Sequence, residues 1–120
     1  MNRDNISDYV ISMFRFYASS GEPDVLKISQ LQTTLPSADI HDLKAVAETL
    51  CVLEKEGNTE TVREIREVYF VRPQQHLRKG EITQRIVSYS LKYYISERTI
   101  WRNLARARRR CAEKRNLRIN

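Results

Sequence analysis

The chain has little that bends or staples a backbone. Three glycines and three prolines in 120 residues exclude collagen-like, mucin-like and linker sequences. The two cysteines, Cys51 and Cys111, lie far apart in helical apolar patterns, with no CxxC pair and no neighbouring histidine pair. Neither a disulfide framework nor a zinc site is expected from them, and both read as small core residues. No apolar run is long enough to span a bilayer, and Met1–Asn5 carries both charge signs, so neither a membrane span nor a signal peptide is expected. Also absent are a glycine-rich phosphate loop, GxSxG, HExxH and any carboxylate pair placed for acid–base work. His41 and His76 each lack a matched acid and nucleophile and read as surface or packing residues. The chain does not read as an enzyme, and no catalytic residue, metal or cofactor is expected.

What is present is a folding composition, 41% hydrophobic and 30% charged, in a length usual for one domain. The charge is divided. Residues 1–75 hold eight basic against twelve acidic side chains, a net of −4, whereas residues 76–120 hold thirteen against three, a net of +10. The reading is an acidic helical body over 1–75 and a basic region over 76–120, within one compact unit. A concentrated positive end suits a polyanion, because displaced phosphate counterions supply affinity without regard to sequence.

Hydrophobic spacing predicts an all-α fold, a compact bundle of five to six helices. Ile6, Tyr9, Val10, Met13, Phe14 and Tyr17 share one helix face near 4–19, which Gly21 ends. Val25, Leu26, Ile28, Leu31 and Leu35 make a short second helix ahead of Pro36. Ser37 offers an N-cap for a third, whose stripe is Ile40, Leu43, Val46, Ala47, Leu50, Cys51 and Leu53 up to Gly57-Asn58. A fourth spans about 59–70 through Val62, Ile65, Val68 and Tyr69, and Arg72–Gly80 reads as a connecting loop.

Two further helices then surround a tight interruption. Ile82, Ile86, Val87, Ser90 and Leu91 precede Tyr93-Tyr94-Ile95-Ser96, and Ile100, Leu104, Ala107 and Cys111 follow. This is the spacing of a helix-turn-helix, with Ser90 where the helices cross, Ile95 in the turn and Ile100 anchoring the second helix. Ser96 can cap that helix and direct its first turn into a major groove. The outward positions are Glu97, Arg98, Trp101, Arg102, Ala105 and Arg106. Arg98 and Arg102 are the base-reading candidates, since a guanidinium fork can donate twice to guanine, and Glu97 can accept from a cytosine amino group. Trp101 has two readings: stacking or a thymine-methyl contact in the groove, or packing back as a lid, which the rarity of exposed tryptophan favours. Arg85, Lys92, Ser96, Thr99, Arg106, Arg109 and Arg110 are candidates for phosphate contact. The turn position where glycine is usual is Tyr94, which must adopt left-handed geometry or sit in a longer turn.

The run GEITQRIVSYSLKYYISERTIWRNLARARRRCAEKRNL, preceded by DLKAVAETLCVLEKEG and VREIREVYF, resembles small phage late-gene regulators. These are the ArpU- and RinA-like activators and the short class of lambdoid antitermination protein Q, in which a sigma-region-4-like helix-turn-helix follows a helical body. The resemblance covers about 39–118 and leaves 1–38 uncovered. It implies a cytoplasmic, sequence-specific regulator in a bacterial host that binds double-stranded DNA, with Ser96, Arg98, Thr99 and Arg102 on the recognition helix. It also implies RNA polymerase or a sigma factor as a candidate partner. The acidic stretch Asp39–Glu67, through Glu48, Glu60 and Glu64, is a candidate surface for basic parts of that machinery. Three alternatives stay open. ARARRRCAEKR is similar to the hairpin-binding peptides of N-type antiterminators, a phage terminase small subunit would form rings, and a pure protein-interaction module would ignore nucleic acid. No heptad run marks a dimer interface.

Overall fold

The computed structural model describes residues 3–117 and contains six helices, with no strand among the described residues: α1 (Arg3–Ser19), α2 (Val25–Gln30), α3 (Ser37–Lys55), α4 (Thr59–Val68), α5 (Glu81–Tyr93) and α6 (Glu97–Lys114). Arg118, counted above with the basic end, lies outside the described residues, as do Met1 and Asn2. The all-α bundle of the sequence reading is present.

Local chemistry explains most boundaries, including the corrected ones. Gly21, at φ +85°, turns the chain after α1, and the Asp24 carboxylate accepts the Lys27 amide at 2.8 Å to start α2. That helix stops at Gln30 rather than continuing toward Leu35. The Ser29 and Thr34 hydroxyls donate to backbone carbonyls there, and Leu31–Leu35 closes into turns. Ser37 does not cap α3. Pro36 holds the cap position, its carbonyl accepting from Ile40 at 3.2 Å, and Ser37 is already helical. A fixed φ and a missing donor suit proline to that place. α4 ends at Val68, two residues short of expectation, because Arg15 collects the carbonyls beyond it.

α3 and α6 form the centre. α3 packs on α1, α2, α4 and α6, while α6 also touches α1, α4 and α5. One core runs through both charge regions, with Phe14 stacked on Tyr69 (centroids 5.4 Å apart) beside Ile28, Leu43, Val46, Ile65, Ile86, Ile100, Leu104 and Cys111. The division near residue 75 is therefore one of charge, and hydrophobic burial crosses it.

The face α3 buries is wider than the apolar stripe, of which Ile40, Leu43, Val46, Ala47, Leu50 and Leu53 are all buried. Asp42, Ala45 and Thr49 are buried whereas Cys51 is exposed, correcting its assignment to the core. α6 lies along the Asp42–Thr49 side, and each polar group there is satisfied. Thr49 donates to Ala45 O at 2.7 Å. Asp42 accepts from the Tyr9 hydroxyl at 2.8 Å and from Arg115 Nε at 2.7 Å, joining α1, α3 and the end of α6. Among the described residues no helix is long and apolar enough to cross a membrane.

Candidate nucleic-acid interface

The turn between α5 and α6 is three residues long. Tyr94 takes left-handed geometry (φ 56°, ψ 43°) in place of the usual glycine, and the residue is 94% exposed. The Ser90 carbonyl accepts the amides of Tyr94 and Ile95, and the Ser90 hydroxyl donates to Ile95 O at 2.6 Å. The small residue at the crossing thus also closes the turn. Ser96 caps α6 by accepting the Thr99 amide at 3.1 Å, and Ile100, Leu104, Ala107, Cys111 and Ala112 bury the inner face. The two helices, the short turn between them and the buried inner face of the second are as the spacing reads.

Most cations of this region fall into two sets. The first is turned onto the acidic body. Arg85, 13% exposed, donates to Val68 O at 2.7 Å and pairs with Glu81 at 2.5 Å. Its assignment to a phosphate is corrected, because the guanidinium is already used in joining α5 to the end of α4. Arg108 donates to the Tyr69 hydroxyl at 2.8 Å, Arg115 holds Asp42, Arg110 meets Glu56 at 2.5 Å and Lys92 meets Glu67 at 3.3 Å. Lys92 and Arg110 remain exposed enough to reach outward, though each starts from a pair. The Ser96 and Thr99 hydroxyls bond to each other within the cap.

The second set is the outer face of α6. Arg98, Arg102, Arg106 and Arg109 are exposed, and none makes a hydrogen bond or ion pair among the described residues. Their spacing of four, four and three keeps them in one stripe roughly 16 Å long. Glu97 is exposed at its start, Ala105 lies within it, and Trp101 borders it with 39% exposure, which corrects the lid reading. Four unneutralised guanidinium groups on one face maintain a positive potential that solvent screens only beyond a Debye length of about 8 Å.

Several residues at this junction had no signal in the sequence. Glu64 of α4 is fully buried against α6. Asn103 donates to its Oε2 at 3.3 Å, while Oε1 has no partner. Burial pushes its carboxyl up to about 7. Glu64 therefore cannot serve as an acidic contact for another protein, and Glu60 is engaged by Tyr89 and Arg63. Of the three acids assigned to that surface, Glu48 remains exposed. A helical period locates Glu64 beside Ile65 but cannot report that α6 covers both. Among the described residues no group of three or more His, Cys, Asp or Glu side chains could hold a metal ion.

No family model, no curated protein and no solved structure matches the chain.

Proposed function

We propose that this protein is a sequence-specific double-stranded-DNA-binding regulator of transcription that reads a major groove with α6. One observation carries the reading: Arg98, Arg102, Arg106 and Arg109 form an unpaired stripe on the outer face of a helix whose inner face is locked into the core. A helix of ordinary diameter fits a groove about 12 Å wide, and arginine is the side chain best matched to guanine there. Arg98 and Arg102, nearest the capped end, take base edges, with Glu97 and Trp101 beside them. Arg106 and Arg109 hold phosphates, joined by Lys92 and Arg110 once these leave their acids.

The resemblance to phage late-gene regulators supports activator or antiterminator action in a phage or prophage setting, with RNA polymerase or a sigma factor as partner. The buried Ile100, Leu104, Ala107 and Cys111 weigh against an isolated arginine-rich RNA-binding helix, since such a helix has no need of a packed face. The test is selection of bound fragments from the host or prophage genome at about 150 mM salt, where specific complexes outlast non-specific ones. Enrichment of one short duplex element is the expected result, and its place relative to a promoter separates activator from antiterminator. Enrichment of RNA hairpins alone, or of no nucleic acid, rejects the reading.

A further inference from the structure

Where α4 begins and the last turns of α6 pass it, the surface forms a notch of about 320 Å³. Asn58 and Thr61 line one wall, and Asn103, Arg106, Arg109 and Arg110 the other. Glu113 is the one acid among the lining residues. At the rim sits a second acid, Glu56. Its Oε1 accepts from Arg110 Nη1 at 2.5 Å and from Asn58 Nδ2 at 3.2 Å, so donors from both walls already converge on a single oxyanion. That carboxylate comes from the exposed residue ending α3 and is 42% accessible, free to swing into solvent. Arg106 and Arg109 face the same space without partners among the described residues.

We propose that this notch is a seat for one backbone phosphate of the bound duplex, and that Glu56 takes the phosphate's place in the free protein. The inference rests on the DNA-binding reading and adds to it a contact made by the body. A backbone phosphodiester carries its charge on two non-bridging oxygens, as a carboxylate does, but it is not tethered to the end of α3 and can engage Arg106 and Arg109 while taking over Arg110 and Asn58. Glu56 then acts as a built-in competitor: it holds Arg110 away from DNA until a strand displaces it, which lowers binding to every sequence equally. The hydrogen bond from Arg110, helped by the charge of its guanidinium, also holds the Glu56 carboxyl below its ordinary range, so the competitor is charged throughout the neutral region.

The experiment compares the intact chain with Glu56→Gln, Arg109→Ala and Arg98→Ala on a selected element and on random duplex, each over a salt series. Glu56→Gln is expected to tighten binding to both duplexes by roughly threefold and to steepen the salt dependence by about one ion. Arg109→Ala is expected to weaken both by roughly tenfold, while Arg98→Ala acts on the selected element. A second readout needs no DNA. Titration with inorganic phosphate at constant ionic strength should shift the Asn58 side-chain amide and the Arg109 and Arg110 Nε–H signals in a saturable way, more tightly in Glu56→Gln. Unchanged signals overturn the seat whatever DNA does. Saturable shifts with no change in duplex affinity in Glu56→Gln overturn its assignment to the DNA backbone and leave free phosphate as the ligand. Loss of cognate preference in none of the variants, with the phosphate shifts intact, counts against the base-reading assignment and not against the seat.

Discussion

The inner and outer faces of α6 carry the same residue type to opposite ends. Arg108 and Arg115 turn inward onto the Tyr69 hydroxyl and the Asp42 carboxylate, whereas Arg98, Arg102, Arg106 and Arg109 turn outward onto solvent. Arg15 of α1 extends the inward class: its guanidinium, buried without a carboxylate contact, donates to the carbonyls of Tyr69, Val71, Arg72 and Gln75 at 2.6–3.2 Å. Net charge does not distinguish the classes. The acids of the body neutralise one side of the basic pair, and the side they leave uncovered is the one available to a polyanion.

The difference is sharpest when stability and binding are measured separately. Arg15→Met strands four carbonyls and is expected to cost about 4 kcal/mol, lowering Tm by more than 10 °C. A Tm within a few degrees of the parent would place Arg15 outside the structural class. Glu64→Gln probes the one inner carboxyl with no cation against it. Because burial raises that group from 4.5 to about 7, the folded chain keeps a proton that the unfolded chain releases above pH 4.5. Stability therefore falls as pH rises between those values, by about 3 kcal/mol in all, and levels off above pH 7. The variant lacks this fall, so its Tm advantage should grow from pH 5 to pH 8; equal Tm differences at both would refute the shift.

Outer-face substitutions should reverse the pattern. Arg98→Ala or Arg102→Ala is expected to cost about 2 kcal/mol on the selected element while leaving Tm unchanged. Equal losses on random duplex would move both to the phosphate-contacting class. The smallest effect is expected at Tyr94, whose ring packs on almost nothing and whose left-handed backbone disfavours a side chain. Tyr94→Gly should raise stability by about 1 kcal/mol or less, read as a small rise in denaturation midpoint, and a fall would show that the ring contributes contacts after all.

Much of this was legible in the chain because period and cap chemistry are local. The apolar spacing of Ile100, Leu104, Ala107 and Cys111, with Ser96 ahead of it, defines α6 and its outward residues without any partner. What was not legible depends on a second segment. Arg85 and Arg109 look alike in sequence, and only the end of α4 makes one of them structural. Cys51 looks like a stripe residue until α6 covers the Asp42 and Thr49 side of α3 instead. Glu64 and Asn103 lie 39 positions apart, beyond the reach of any spacing rule.

The four-carbonyl grip of Arg15 has a consequence for how the molecule may be cut. The stretch from Arg72 to Gly80 reads as a connecting loop, and Arg15 is bonded to carbonyls 54 to 60 positions further on, at the end of α4 and the start of that stretch. A fragment beginning near residue 76 would keep α5 and α6 but lose the anchored segment that leads into α5, along with the surfaces of α1, α3 and α4 that pack on α6. The α5–α6 pair is not a portable cassette. Grafting it onto another carrier requires transplanting the first helix as well.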